Sequence, residues 1–585
     1  MPTLEISNFN IVVSVLGGWI SLFGLVSYLL KENFYLSEAL ISLLAGITFS
    51  PHALNWVRPL DYAEGSVESL NSVTLYFTRL VLGVQLVLAG VQLPSRYLRK
   101  EWKPLALLLG PVMTAMWLTT SLLVWALVPH LPFLHALAIG ACVTPTDPVL
   151  SNVIVKGKFA DHNVPRDLQK IIIAESGAND GLGYPFLFIA LYLIKYIGDG
   201  GVAESGGAGL AIGLWFGETW GYTIILSIVY GAVIGWLAKE LLHYCEQHKF
   251  VDRESFLVFA LSLALFITGT CGMIGSDDIL ACFIAGNVFT WDDWFRLETL
   301  DEVCISRLNQ ELLNSLQPTI DMLLNVVIFM WYGAVCPWRE FVTNNVIPIY
   351  RLIPLAILIL VLRRPPYIWA FHKKISQIEG VRQAIFMGFF GPIGCSAIFY
   401  LFVTVHFVHD LRREGGRQDV ENLAEAVNII VWFMVIVSVV VHGLSIPLGK
   451  LGLQLPRTIS RSRSAAGSTD RSSFQVGQAI FDVRSPRSRS RSRNGGNASE
   501  SRSTSVGRPF KIGGSLILPQ GPGSSSHMLS PSPNVLARDE SGNIRPPAGA
   551  VSEPQLVPPS PIEPIRTIRY ADEAAQTQDR QNPDV

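Results

Sequence analysis

The sequence predicts an all-α polytopic membrane protein with a disordered cytosolic tail. Half of the 585 residues are hydrophobic and only 16% are charged, whereas soluble domains carry about 25% charged residues. Nearly all long apolar runs lie within residues 11–450, while residues 451–585 are rich in Ser, Arg, Pro and Gly. Because only helices and closed barrels satisfy their backbone hydrogen bonds in lipid, we expect the apolar region to be helical.

The apolar region divides into segments long enough to cross a bilayer. A spanning helix needs about 20 mostly apolar residues, and about thirteen segments reach or approach that length. They lie at 11–30, 36–51, 72–93, 105–128, 133–155, 171–195, 220–242, 254–272, 276–290, 318–336, 347–369, 382–407 and 427–448. An odd number of spans places the two termini on opposite sides of the membrane.

The distribution of Lys and Arg among the connections predicts the orientation, because cytosolic loops are enriched in these residues. The basic connections are 95–103, 155–170, 239–253 and 363–382, and the connections nearly free of Lys and Arg are 129–133, 196–207 and 269–278. Residues 409–426 oppose the pattern with three arginines on the predicted outside. We therefore expect a short extracellular N-terminus at 1–10, a transmembrane domain at 11–450 and a cytosolic tail.

Ionisable groups interrupt the sixth apolar segment in the stretch AESGANDGLGYPF, residues 174–186. A charge at the bilayer centre costs about 2.5–3.5 kcal/mol on insertion scales, so such residues face the protein interior or a water-filled cavity. On a helix Glu175 shares a face with Asn179, and Ser176 shares a face with Asp180. We expect one carboxylate to bind a transported ion and the other to have a structural partner. The alternative is a polar packing motif of protonated acids.

The fifth segment contains two closely spaced prolines, in TPTDPVL from residue 144. Pro145 and Pro148 remove two backbone donors and disfavour α geometry at the residues before them. The helix should unwind there, and exposed backbone at membrane depth is tolerated where it lines a cavity. Asp147, Thr144 and Thr146 add oxygen ligands, which suit hard cations. The alternative is a proline kink that only relieves packing.

A second break is expected in the twelfth segment, at Gly391, Pro392 and Gly394. The twelfth segment lies seven segments after the fifth. A unit of six helices that is repeated after one linker helix would produce this spacing. Interrupted helices at equivalent places in two repeats indicate the binding site of a transporter.

Two further charged pairs have competing interpretations. Arg363 and Arg364 end the eleventh segment, and either one pairs with Glu175 or both anchor the helix at the cytosolic surface. Asp277 and Asp278 open the ninth segment, where they either cap the helix or form a funnel that attracts cations toward Asp180.

Together TPTDP at 144–148, ESGANDGLGYPF at 175–186 and FFGPIG at 389–394 resemble the cation/proton antiporter superfamily. The combination is most similar to fungal plasma-membrane sodium/proton antiporters, which are related to animal sodium/proton exchangers, and it covers residues 10–450. The resemblance implies about 13 transmembrane helices in two inverted repeats, with a dimerisation part, a mobile core in which two broken helices cross, and a homodimer.

The resemblance also implies roles for the polar residues. Asp180 should hold the transported Na⁺ or Li⁺, Asn179 should stabilise the site, and Glu175 should pair with Arg363 or Arg364. The expected ion-binding set is Asp180, Asn179, Asp147, Thr144, Thr146 and Ser176.

The predicted activity is exchange of cytosolic Na⁺, or Li⁺ or K⁺, for extracellular H⁺ by competition at Asp180 with alternating access. This activity would serve salt tolerance and cation and pH homeostasis at the plasma membrane. The chain has no P-loop, Rossmann or HExxH motif, so we expect no enzyme activity and no cofactor. The alternatives are a potassium-selective exchanger, a cation channel, and a sensor that binds cations without transport.

The predicted tail lacks the apolar content of a folded core. Its Ser/Arg tracts, at 460–473 and 484–493, suit anionic lipid, with release by phosphorylation. We therefore expect membrane lipid, kinases or regulatory proteins as partners, and no nucleic acid. The alternative is an inert, solvated tail. A short apolar island at 508–520 is a candidate docking peptide.

Overall fold

The structure is a computed structural model that describes residues 8–28, 30, 36–148, 150–151, 160, 163–197, 206–295, 307–415, 420–464, 510–512 and 515–517. The chain divides into two compact units, residues 1–471 and residues 472–585. The described part of the first unit is helical with short connections, as the apolar composition predicts.

Twenty α-helices make up the described part of the first unit. They are α1 (Asn8–Tyr28), α2 (Glu38–Phe49), α3 (Pro59–Tyr62), α4 (Val67–Gln92), α5 (Tyr97–Lys100), α6 (Trp102–Leu107), α7 (Met113–Leu127), α8 (Phe133–Cys142), α9 (Arg166–Gly181), α10 (Gly183–Ile197), α11 (Gly207–Leu214), α12 (Leu226–Gln247), α13 (Arg253–Ile274), α14 (Asp278–Phe289), α15 (Arg307–Val335), α16 (Ile349–Leu362), α17 (Pro365–Phe371), α18 (Val381–Phe389), α19 (Cys395–Gly415) and α20 (Glu421–Ser464). Wider π-helical turns at Leu108–Val112 and Trp215–Ile225 join α6 to α7 and α11 to α12, and a 3₁₀ turn, His372–Lys374, follows α17.

The predicted apolar segments all correspond to helices in the described residues. Seven stretches are long and apolar enough to cross a membrane: Asn10–Ser27, Val67–Gln92, Trp102–Leu127, Arg166–Ile197, Gly207–Gln247, Ile349–Lys374 and Glu421–Pro447. Five more are shorter apolar helices: Glu38–Phe49, Phe133–Cys142, Val258–Ile274, Asp278–Phe289 and Thr319–Val335. The remaining predicted segment, 382–407, is divided between α18 and α19. The all-α membrane fold is therefore confirmed.

Both predicted helix breaks are present. The helix α8 ends at Cys142, and residues 143–147 are not helical. In the second case, residues 390–394 separate α18 from α19. The prolines and glycines that predicted the breaks lie in or next to these non-helical stretches, except that Pro148 already begins the next helical residues.

Close packing of α9 against α14 fixes the helix that carries Asp180. A Cβ atom on Gly181 would lie 2.8 Å from the Cα of Leu280, and one on Gly177 would lie 2.5 Å from the Phe283 ring. Side chains at these two positions would push the helices apart, since real Cβ contacts are longer. Small residues therefore set the helix separation beside the polar stretch.

Some boundaries differ from the prediction. The helix α20 continues past residue 450, where we predicted the tail to begin, and ends at Ser464. Residues 409–426, which we predicted to be a connection, are helical as far as Gly415 and again from Glu421. Hydropathy marks the apolar length of a segment, whereas a helix continues for as long as its backbone groups find partners.

The described residues of the second unit form two short strands, which depart from the all-α prediction. Two strands, β1 (Phe510–Ile512) and β2 (Ser515–Ile517), pair antiparallel with Lys511 opposite Leu516. They fall within the apolar island at 508–520, and the Gly-Gly sequence between them is typical of a two-residue hairpin connection. The Ser/Arg tract at 484–493 and the other tail residues after 464 lie outside the described residues.

Candidate cation-binding site

The two helix breaks lie against each other. The Asp147 N–H donates to the Pro392 carbonyl at 3.0 Å. In return, the Cys395 N–H at the start of α19 donates to the Asp147 carboxylate. A carboxylate at a helix N-terminus satisfies a free donor and complements the helix dipole. Asp147 thereby holds the two interrupted segments together.

Arg363 satisfies the carbonyl groups that the breaks leave without helical partners. Its guanidinium, 2% exposed, donates to Val143 and Gly391 and to the carbonyls of Thr144 at 3.2 Å and Pro145 at 3.4 Å. Arginine suits this role because its five N–H groups spread in a fixed fork. Arg363 therefore bridges both breaks.

Arg364 is the arginine that pairs with Glu175. Its two terminal nitrogens donate to the two carboxylate oxygens at 2.5 Å and 2.8 Å. Both side chains are buried, at 3% and 2% exposure, and the Arg364 Nε donates to the Met387 carbonyl at 3.1 Å. This bidentate geometry is the strongest form of an ion pair, and it resolves the choice between two arginines that the sequence left open.

Asn179 ties α9 to the first break. Its side-chain oxygen accepts from the Thr146 N–H at 3.1 Å, and its nitrogen donates to the Thr146 hydroxyl at 2.8 Å. That hydroxyl also lies 3.3 Å from the Ser176 hydroxyl, and the Thr144 hydroxyl donates to the Gly140 carbonyl at 2.7 Å. These polar groups are thus engaged with the protein itself.

Asp180 differs from all of these neighbours. It is fully buried, and neither carboxylate oxygen has a hydrogen-bond partner among the described residues. Buried polar groups in proteins are almost always paired, so a buried carboxylate in this state needs a proton or a cation. Asp147 and Asp277 are close enough to interact electrostatically with it, and the Ser396 hydroxyl lies next to the carboxylate.

Two residues of α19 at this site were not predicted from the sequence. The buried Ser396 hydroxyl has no partner among the described residues, and the Tyr400 hydroxyl donates to the carbonyls of Asp180 and Gly181, the latter at 3.1 Å. Of these two residues, only Ser396 could have been suspected from the sequence, because it lies next to the Gly-Pro break. The contacts of Tyr400 depend on how α19 packs against α9.

Asp277 and Asp278 are buried rather than exposed at an open mouth. Asp277 caps α14, since one carboxylate oxygen accepts from the Leu280 N–H at 3.1 Å. Asp278 pairs with Arg79 of α4 at 2.7 Å. Arg79 is a further residue that the sequence analysis missed, although an arginine inside an apolar segment was an available signal. The funnel interpretation remains a prediction.

Gly394 is required by this geometry, and its substitution gives a stability prediction. A Cβ atom at this position would overlap the Asp147 carboxylate. We expect Gly394→Ala to destabilise the protein by about 1–3 kcal/mol, the usual cost of overpacking. The apparent melting temperature of detergent-solubilised protein would measure this loss. Gly269→Ala is the control, because nothing lies within 4 Å of a Cβ there, and equal melting temperatures for the two variants would contradict the prediction.

Comparison with known protein families identifies the family of this chain. The sequence model of the family described as "Sodium/hydrogen exchanger, transmembrane" matches residues 19–448. The chain belongs to this family. The match begins within α1, ends within α20 and includes both breaks, so it confirms the resemblance carried by TPTDP, ESGANDGLGYPF and FFGPIG.

Fungal relatives give the same result. The chain is 35% identical to Na(+)/H(+) antiporter 2 of Zygosaccharomyces rouxii over 77% of this chain and 54% of the relative. It is 34% identical to the Na(+)/H(+) antiporter of Saccharomyces cerevisiae, over 77% and 44%, and 30% identical to that of Schizosaccharomyces pombe, over 79% and 95%. The chain thus spans about half the length of the first two relatives.

The fold of this sodium/hydrogen exchanger family member is also similar to that of a solved structure. The sodium proton antiporter MjNhaP1 from Methanocaldococcus jannaschii superposes with a TM-score of 0.54 at 17% identity, covering 75% of this chain and all of that one. At this identity the likeness concerns the arrangement of helices.

Proposed function

We propose that this protein is a secondary antiporter that exchanges cytosolic Na⁺ for extracellular H⁺. The observation that carries the proposal is the fully buried Asp180 carboxylate, whose oxygens have no partner among the described residues and which lies beside two contacting helix breaks. Membership of the sodium/hydrogen exchanger family supports it, as do relatives named Na(+)/H(+) antiporters.

Competition at Asp180 couples the two ions. Burial disfavours the charged form of a carboxylate, so the empty site resists crossing the low-dielectric barrier between the two sides. Binding of either Na⁺ or a proton neutralises Asp180, and the neutral site can then be exposed to the other side. Because the two ions share one carboxylate, one ion moves out only when the other moves in.

The surrounding polar residues shape the site for a small hard cation. Thr146 hydrogen-bonds with both Asn179 and Ser176, so the main contribution of these residues is to hold the first break against α9. Ser396 supplies an additional buried oxygen next to Asp180. We propose that Asp180 and Ser396 contact the cation directly, with oxygen ligands that suit Na⁺ and Li⁺.

The broken helices place partial charges around this cation. Asp147 accepts the Cys395 N–H and so offsets the positive end of α19. Arg363, which would otherwise repel a cation, is occupied by the carbonyls of both breaks. With Asp147 and Arg363 engaged in this way, the carboxylate charge that an incoming cation neutralises is that of Asp180.

The distribution of Lys and Arg supports a cytosolic tail and an extracellular N-terminus. Residence in the plasma membrane and assembly as a homodimer are proposed from the family resemblance alone. The basic Ser/Arg tracts of the tail support contact with anionic lipid and with kinases or other regulatory proteins.

Reconstituted protein tests the proposed exchange. Purified full-length protein in liposomes with an acidic interior is given Na⁺, Li⁺, K⁺ or choline outside, and internal pH is followed by fluorescence. We expect Na⁺ and Li⁺, but not choline, to make the interior more alkaline. A dominant response to K⁺ would make the protein a potassium exchanger. The absence of any response, in protein shown to be folded, would refute exchange and favour a sensor. Cation flux that is independent of the proton gradient would indicate a channel.

A further inference from the structure

Two residues of α20, Ser438 and His442, face the break between α18 and α19 from outside the cation site. They lie four residues apart on one helix face, and their exposed fractions are 0% and 7%. Neither belongs to the motifs that the family resemblance uses. Polar groups buried this deeply must have a partner or they destabilise the fold.

Both residues bond to backbone groups that the break would otherwise leave unpaired. The Ser438 hydroxyl accepts the Ile393 N–H at 2.7 Å. The His442 Nε2 lies 3.0 Å from the Phe389 carbonyl at the end of α18. A helix that stops inside the protein loses the partners of its terminal carbonyl and N–H groups. Ser438 and His442 replace these partners on the two sides of the break.

One proton in the relay formed by Ser438 and His442 can be assigned by matching donors to acceptors. The Phe389 carbonyl can only accept, so Nε2 carries a proton and donates to it. Nδ1 lies 2.9 Å from the Ser438 carbonyl and 3.2 Å from the Ser438 hydroxyl, so its contacts stay within α20. The Nε2 proton is therefore the one that reaches the break, and the nearby charged group is the Arg363 guanidinium.

The break that this relay holds is directly connected to the cation site. Ile393 lies between Pro392, whose carbonyl accepts the Asp147 N–H at 3.0 Å, and Cys395, whose N–H donates to the Asp147 carboxylate. A displacement of Ile393 would move both contacts of Asp147. The His442 ring also packs on Phe389, with ring centroids 5.3 Å apart, which limits its own freedom.

We propose that Ser438 and His442 are positioning residues that fix the second break, and through it Asp147, in the geometry that binds the cation. This inference rests on the proposed exchange and deepens it, since it places part of the cation affinity in α20. It predicts a change in the cation concentration for half-maximal exchange (KM) rather than a general loss of folded protein.

Two amide substitutions of His442 separate the two contacts of the ring. A glutamine places its amide nitrogen near the position of Nε2 and keeps the donor to Phe389, whereas an asparagine reaches only the position of Nδ1. We expect His442→Gln to stay within about threefold of the wild-type KM for Na⁺, and His442→Asn and Ser438→Ala to raise it about tenfold or more. The maximal rate should change less than KM in each case. Ser445→Ala is the control, because its hydroxyl donates within α20, to the His442 carbonyl, and makes no contact with the break among the described residues.

The test uses full-length protein in the liposome assay together with sodium-dependent thermal stabilisation in detergent. Equal KM values for the asparagine and glutamine variants, or an unchanged KM in Ser438→Ala, would overturn the positioning role. A drop in maximal rate with unchanged KM would also overturn it. Failure of the wild type to exchange any cation would refute the proposed function itself, and thermal stabilisation by Na⁺ would still report whether the variants bind it less well.

Discussion

Asp180→Asn is expected to abolish cation-driven proton exchange. Asparagine is almost isosteric with aspartate, so the fold should survive, but it can neither carry the proton nor neutralise a cation. We expect the rate of exchange to fall by at least about 100-fold, within the range found when a proton-transferring group is removed. Internal pH in the liposome assay measures this loss directly, and size-exclusion chromatography confirms that the variant is folded.

A matched control comes from the same helix. Asp167 is also an aspartate of α9, but its side chain is 78% exposed and pairs with Lys170 at 3.1 Å. Asp167→Asn should leave exchange within about twofold of wild type, because exposed ion pairs contribute little. Continued exchange by Asp180→Asn would show that another group carries the proton, and Asp147 and Asp277 would be the next carboxylates to substitute.

The sequence predicted the helices and the breaks well because these depend on local chemistry. Apolar length identified the spans, and the prolines at 145 and 392 identified the unwound stretches. The polar face of α9 also followed from the helical spacing of Glu175 and Asn179. These features need no knowledge of which helices are neighbours.

The partners of the site residues could not be predicted in the same way. Arg363 and Arg364 are adjacent in sequence, yet one binds backbone carbonyls and the other binds Glu175. The partner of each arginine depends on where α16 ends, at Leu362, and on the direction that each side chain takes beyond that end. The relay of Ser438 and His442 is a stronger case, because its partners lie 45 and 53 residues away and are backbone groups with no sequence signature.

The ion pair between Glu175 and Arg364 should behave differently when one or both partners are removed. Breaking a buried pair leaves an uncompensated charge and costs about 3–5 kcal/mol, whereas replacing both partners by apolar residues of similar volume is often neutral or stabilising. We therefore expect Arg364→Met to lower the apparent melting temperature sharply. The Glu175→Gln variant also leaves the Arg364 charge uncompensated, but the glutamine oxygen can still accept a hydrogen bond from the guanidinium, so this variant should lose less. Glu175→Met combined with Arg364→Met should recover part of the loss.

A double-mutant cycle measures this coupling, because residues in direct contact give non-additive effects. The apparent melting temperatures of wild type, Glu175→Met, Arg364→Met and the double variant supply the four corners. The same cycle with Arg363→Met in place of Arg364→Met is the comparison, and its coupling should be smaller because Arg363 donates to carbonyls rather than to Glu175. A larger coupling for Arg363 than for Arg364 would contradict the observed pairing. If the Glu175 and Arg364 double variant is stable and still exchanges cations, the pair holds α9 in place and takes no part in binding the ion.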